Sequence, residues 1–173
     1  GKASHAGGAP EKGINTLNAA KIGLVAIDAQ RETFRDEDHI RVHPIITKGG
    51  DTVNIVPADV RLETYVRGAS IDAILDASAK VNRALKAGGY AVGAETKIDE
   101  IPGYLPMDPC PAMQDLMYAN LTALLGKDHV ARHIPFNGGS TDAADVAALM
   151  PVVHAYVGGA AGRAHTKDYH IVD

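Results

Sequence analysis

Pro102, Pro106, Pro109 and Pro111 fall close together in this chain. Each proline locks φ and removes a backbone donor, so the stretch can continue neither a helix nor the interior of a sheet. The architecture has to change there. The expected division is residues 1–101 on one side and 102–173 on the other.

On the N-terminal side, Ile14, Leu17, Leu24 and Ile27 recur at helical spacing with Ala19 and Ala20 between them, which predicts a helix over 11–31 with Pro10 at its entrance. Strands are expected over 40–47 and 53–67. In the second, Val60, Leu62, Thr64 and Val66 alternate with Arg61, Glu63, Tyr65 and Arg67, giving one covered face and one wet face. Gly49-Gly50-Asp51 is a turn signal, so the two strands should form a hairpin. A second helix is expected over 70–86, with Ile71, Ile74, Leu75, Val81 and Leu85 on one face. Ser70 would be its N-cap and Gly88-Gly89 its stop. Residues 90–101 alternate again and read as a strand. If the opening residues are the tail of a strand, the order is βαββαβ: an α+β, ferredoxin-like unit with a split antiparallel sheet and both helices on one face.

Beyond the prolines, Met113, Leu116, Met117, Leu121 and Leu124 predict a helix over 112–125 with that face inward and Gly126 closing it. The methionines read as core packing. A strand near 129–136, a Gly138-Gly139 turn, a helix over 140–149 and a strand over 152–157 would complete an αβαβ pattern. About 70 residues are thin for an independent α/β domain, because parallel strands are buried on both faces. This side reads as an α/β segment of something larger.

With 46% hydrophobic and 22% charged residues among 173, the chain has the composition of a globular protein and not of a disordered one. Net charge is -4, with Lys and Arg scattered, so nothing marks a surface for nucleic acid or an anionic membrane. Cys110 is the one cysteine, which excludes an internal disulfide. With no apolar run of about 18 residues and no leader-like start, the expectation is a cytoplasmic protein. The chain opens on Gly1 inside what reads as a motif, so an N-terminal portion is expected to be absent. There is no Gly-x-Ser-x-Gly elbow and no phosphate loop, which disfavours serine hydrolases and nucleotide enzymes.

Several short stretches carry chemistry, each with an ordinary structural alternative. His5, in Ser4-His5-Ala6-Gly7, is flanked by residues too small to bury it, so it is either a hydrogen-bonding imidazole or a turn histidine. His165 follows the glycine-rich loop 158–162, where a ligand or general acid/base is as reasonable as a solvated loop residue. Gly138-Gly139-Ser140-Thr141-Asp142 can form a nest of backbone N–H groups for a carboxylate or phosphate, or simply cap a helix. Asn54 and Arg67 share the long strand, and Arg67 can clamp a carboxylate or stay solvated. His39, His43, His129, His133, His154 and His170 show no ligand spacing and read as structural or surface residues.

Gly1-Lys2-Ala3-Ser4-His5-Ala6-Gly7 with Pro10, Gly13 and Asn15, then Thr52-Val53-Asn54-Ile55-Val56-Pro57, Arg67, Gly139-Ser140-Thr141-Asp142 and His165, taken in that order, resemble the aminoacylase, carboxypeptidase and succinyl-diaminopimelate desuccinylase family of zinc-dependent exopeptidases and amidohydrolases. The resemblance implies that residues 1–101 are a lid that also makes the homodimer. It implies that 102–173 are the C-terminal part of a larger catalytic domain carrying two divalent metal ions, zinc or manganese. His5 then resembles the lid histidine that reaches the partner's site and stabilises the oxyanion. Asn54 and Arg67 resemble substrate-holding lid residues, Gly139, Ser140 and Thr141 the loop beside the substrate, and His165 the final metal ligand.

The implied reaction is hydrolysis of the amide bond of N-acyl amino acids, aminobenzoyl-glutamate-like compounds or small peptides by a metal-activated water. The remaining ligands and the catalytic Glu would lie outside this chain, so the chain alone is expected to be inactive and its metal site absent or incomplete. A reading of another class is a non-catalytic dimerisation or ligand-binding module that retains the lid fold.

Overall fold

The structure, a computed structural model, describes residues 1–132 and 139–172. They fall into two compact units, one made of Gly1–Met107 and the stretch ending at Asp142, the other of the stretches beginning at Asp108 and at Ala143.

In the first unit a 3-10 turn, Pro10–Lys12, precedes the first helix, α1 (Thr16–Gln30). The helix starts later than the apolar spacing predicts because Asn15 is its cap: the Asn15 carboxamide oxygen accepts from the amides of Leu17 and Asn18 at 3.0 and 3.2 Å. The expected hairpin forms, in pieces. β1 (Arg41–Val42) pairs with β4 (Val66–Arg67), and β2 (Ile45–Lys48) pairs with β3 (Arg61–Glu63), all antiparallel. Residues 53–60 leave the ladder to form a long loop, so the strand expected over 53–67 is confined to its C-terminal part.

The second helix, α2 (Ile71–Val92), is capped by Ser70, whose hydroxyl accepts from the Ala73 amide at 3.2 Å. Gly88-Gly89 does not stop it. The helix runs on to a left-handed Gly93 with φ of 72°. Gly88 is a contact point instead: a Cβ there would stand 2.3 Å from the Ala19 carbonyl oxygen and 2.6 Å from the Gly23 nitrogen, so glycine lets α1 and α2 touch backbone to backbone. Ile27, Val42, Val81 and Ala84 form the buried core of this unit, with Leu24, Phe34, Ile40, Val66 and Leu85 packed round it. Both helices thus cover the hairpin, as the α+β reading requires.

Tyr90–Val92 belong to α2, and 94–101 form no ladder among the described residues, so the strand expected over 90–101 is not formed. Its alternation is nonetheless real: Ala94, Thr96 and Ile98 are half-buried while Glu95, Lys97 and Asp99 are exposed. The segment has one face covered, and a hydrogen bond between Asn82 and Glu100 ties it to α2. The opening residues make isolated antiparallel bridges, Lys2 to Ile14 and His5 to Ile55.

The second unit contains α3 (Pro111–Leu125), a 3-10 turn at Lys127–His129, the five-residue α4 (Ala143–Ala147), and a two-stranded antiparallel ribbon of β5 (Ala160–Ala161) and β6 (His170–Ile171). α3 starts one residue before the expected position, with Pro111 as its first residue, and Gly126 caps it as expected. Its apolar face is only partly inward: Met117 and Leu121 are half-buried, while Leu116 and Leu124 are 64% and 80% exposed and Met113 is exposed as well. The helix expected over 140–149 is shorter, and Val152–Val157 form no strand. A buried strand needs ladder partners and cover on both faces, and the described residues of this unit offer neither. The strand and turn expected over 129–136 and at Gly138, and His133, lie wholly or partly outside the described residues. Among those residues no helix is long and apolar enough to cross a membrane.

Candidate functional site

The loop between β2 and β3 folds back onto the first residues of the chain. The Val56 amide donates to the Ser4 carbonyl at 2.9 Å and the Ala6 amide to the Asn54 carbonyl at 2.8 Å. The Thr16 hydroxyl and amide both bind the Pro57 carbonyl, at 2.8 and 3.0 Å, which anchors the loop to the start of α1. Two stretches about fifty residues apart in sequence are thereby zipped together, and His5 and Asn54 become neighbours on an exposed edge. Beside them opens a groove of ≈ 430 Å³ lined by Ala6, Thr52, Val53 and Ile55 among others, with Val53 fully exposed at its rim.

The imidazole of His5 is held by a tight turn. The amides of Gly7 and Gly8 donate to its Nδ1 at 3.2 and 2.9 Å, and the Ala9 amide closes the turn onto the His5 carbonyl at 3.0 Å. Sequence reading did not find this pairing, although two glycines at two and three residues beyond a histidine are its signal: their flexible backbone can turn both amides inward.

Arg67 is at the other end of the hairpin, in β4 opposite Arg41, away from the loop that carries Asn54. Alternation puts it on the same face as Tyr65. Its guanidinium carbon lies 4.5 Å from the centre of the Tyr65 ring, and His43 stacks on that ring at 5.9 Å with 17° between planes. The arginine is thereby set in a cation–π stack. This chain brings His5 and Asn54 together but not Arg67 with either.

At the base of the loop, Lys48 Nζ lies 3.1 Å from Asp59 and 3.4 Å from Asp51, and Arg61 lies 3.2 Å from Asp59. Hydrogen bonding from Lys48, and then from Arg61, holds the Asp59 carboxyl below the usual carboxylate range, while Asp59 and Asp51 raise Lys48. The cluster is charge-compensated and exposed, so it orders the base of the loop and supplies no acid or base.

Gly139, Ser140 and Thr141 run into α4 with Gly139 and Ser140 exposed and Thr141 half-buried, and the Thr141 hydroxyl donates to Asp142 at 3.2 Å. His165 is exposed in the loop between β5 and β6, in the left-handed region with φ of 64°. That loop is tightly built: the Thr166 amide and hydroxyl both bind the Arg163 carbonyl, at 3.2 and 2.7 Å, and a Cβ on Gly162 would stand 2.2 Å from the Asp168 carbonyl oxygen. Histidine enters this region more often than most residues other than glycine, so His165 sits there without unusual strain. Among the described residues no three or more His, Cys, Asp or Glu side chains cluster to hold a metal ion. A hydrolytic metal centre needs several ligands, and the described residues do not complete one around His165.

Comparison with known proteins places these features in a family. The model of the peptidase dimerisation domain matches residues 1–92. Xaa-Arg dipeptidase of Mus musculus is 30% identical over 173 residues, which cover 98% of this chain and 39% of that protein. A p-aminobenzoyl-glutamate hydrolase chain of Escherichia coli (strain K12) is 28% identical over 145 residues, 83% of this chain and 32% of that protein. The crystal structure of the aminobenzoyl-glutamate utilization protein from Klebsiella pneumoniae shares the fold at a TM-score of 0.68 and 23% identity, covering 84% of this chain and 37% of its own. The chain thus spans about two fifths of the length of the mouse relative. Since the family match covers more than half of its residues, this chain belongs to the peptidase dimerisation domain family.

Proposed function

We propose that the protein to which this chain belongs is a metal-dependent amidohydrolase or peptidase, and that the chain supplies its dimerising lid together with a C-terminal part of the catalytic domain. The bond cleaved is the amide of an N-acyl amino acid, an aminobenzoyl-glutamate-like compound or a small peptide. The observation that carries this reading is the zipping of residues 4–6 against 54–56, which brings exposed His5 and exposed Asn54 to one edge of a peptidase dimerisation domain. A donor imidazole and a carboxamide there are suited to an amide carbonyl and a carboxylate brought against that edge by a second copy.

The bound metals, zinc or manganese, would supply an activated water. The described residues do not make up their site, so the part played by this chain is to bind and orient. His5 donates a hydrogen bond to oxygen; Asn54 and Arg67, with Gly139, Ser140 and Thr141, hold substrate; His165 is the one metal ligand assigned to this chain. Arg67 stands apart from His5 within one chain, which fits a site assembled from two copies of the lid.

The test is hydrolysis of p-aminobenzoyl-glutamate and of dipeptides ending in arginine by the protein extended to its relatives' length. His5→Ala is expected to lower kcat by about 10²–10³-fold, the usual cost of one oxyanion donor, while light scattering still reports a dimer. Full activity in that variant, or hydrolysis by the 173-residue chain alone, would overturn the proposal.

A further inference from the structure

We infer that the backbone amides of Gly7 and Gly8 are positioning groups that lock His5 into one neutral tautomer, with the proton on Nε2. Both amides aim N–H at Nδ1, at 3.2 and 2.9 Å. Only an unprotonated ring nitrogen can accept such bonds, so the proton of the neutral ring is on Nε2. The ring then presents a fixed donor to whatever lies against that edge.

The turn is built to keep this arrangement. The Ala9 amide bonds the His5 carbonyl at 3.0 Å, and the Ala6 amide bonds the Asn54 carbonyl at 2.8 Å, so the backbone on which the imidazole stands is held from both sides. The ring passes close to position 8: a Cβ on Gly8 would stand 3.3 Å from Nδ1, a tight contact, whereas one on Gly7 would stand 3.7 Å from Cε1, an ordinary one. A methyl at position 8 would shift the ring by a few tenths of an ångström and weaken its bond to that amide.

The chemical consequence distinguishes two roles. A histidine serving as general base needs a bare, outward-facing nitrogen, and here the bare nitrogen is already occupied by two donors. An outward Nε2–H is suited to an oxygen that gains negative charge, and it needs no reorganisation when that charge develops. The catalytic use of the donor rests on the reading under Proposed function; the tautomer does not.

The experiment is a long-range ¹H–¹⁵N correlation spectrum of the ¹⁵N-labelled chain at about pH 8.5, where ordinary imidazoles are neutral, with free histidine as the reference ratio. The expected spectrum for His5 shows Nε2 protonated and Nδ1 bare, in an excess over free histidine of about fivefold, the worth of one net hydrogen bond. Gly8→Pro, which deletes the closer donor, should bring the ratio back toward free histidine, and Gly8→Ala, which keeps the N–H, should lose less. A wild-type spectrum with Nδ1 protonated, or with the ratio of free histidine, overturns the inference without any variant having to fold. The hydrolysis assay on His5→Ala addresses the proposed function alone, so failure of one is distinguishable from failure of the other.

Discussion

Replacing Gly88 by alanine separates two accounts of the same glycine. If Gly88-Gly89 ended the second helix, alanine would extend the helix and stabilise it by the ~0.5–1 kcal/mol that separates these residues in helices. In the structure Gly88 is well inside α2, and the added methyl would stand 2.3 Å from the Ala19 carbonyl oxygen, 2.6 Å from the Gly23 nitrogen and 2.9 Å from the Gly23 Cα. All three are backbone atoms, so no flexible side chain can yield and the helices have to part. Overpacking of a tight contact costs about 1–3 kcal/mol. Here it also loosens Ile27, Val81 and Ala84 in the adjoining core, which places the cost at the upper end.

Allowing for the helix-propensity gain, Gly88→Ala is expected to destabilise by about 2 kcal/mol. Gly23→Ala is the internal control: its nearest neighbours would be Leu85 Cα and Cδ2, both at 3.3 Å, a contact relieved by a few tenths of an ångström. It should cost clearly less than Gly88→Ala. Urea denaturation followed by far-UV circular dichroism is the assay, and with a slope of about 2 kcal/mol per molar the Gly88→Ala midpoint should fall by about 1 M. A midpoint equal to or above that of the wild type, at an unchanged slope, would refute the helix contact and restore the reading of Gly88 as a helix stop.

Ile27→Ala should cost about 2–5 kcal/mol, because the side chain is wholly buried and leaves a cavity between helix and hairpin; Val25→Ala, two residues away and 69% exposed, should stay within about 0.5 kcal/mol on the same denaturation curves. The Asp59 carboxyl is held low in the folded state by Lys48 and then Arg61, so its contribution is present above the ordinary aspartate pKa and is lost as pH falls through the lowered folded value. Asp59→Asn should therefore reduce stability slightly at neutral pH and not at all at strongly acid pH, with the difference shrinking in high salt because the group is exposed. A difference that persists in acid would count against the ion cluster as its source.

Helix and hairpin positions were legible because they rest on local rules. The apolar spacing of Leu24 and Ile27, the alternation from Val60 to Val66, the Gly49-Gly50-Asp51 turn and the Ser70 cap each act within a few residues, and the structure forms α1, the paired strands and α2 where they point. The family resemblance was legible for a related reason: His5, Asn54, the Gly139 to Asp142 run and His165 are spaced motifs that can be recognised without knowing what they touch. What failed was whatever depended on a partner distant in sequence. Alternation at Ala94, Thr96 and Ile98 marks a covered face correctly, yet a strand also requires a ladder neighbour. The apolar spacing of Leu116 and Leu124 marks a helix correctly, yet inward packing requires something to pack on.

By itself, then, the sequence determined the α+β class of the first unit and the place of its two long helices and its hairpin, because propensity, period and capping are short-range and additive. The tertiary structure alone decided that Gly88 is a helix contact and not a stop, that His5 and Asn54 are neighbours while Arg67 lies at the far end of the hairpin, and that Nδ1 of His5 is occupied by two amides. Each of these is a matter of which atoms meet within a few ångströms, and that is settled when the whole chain closes on its core.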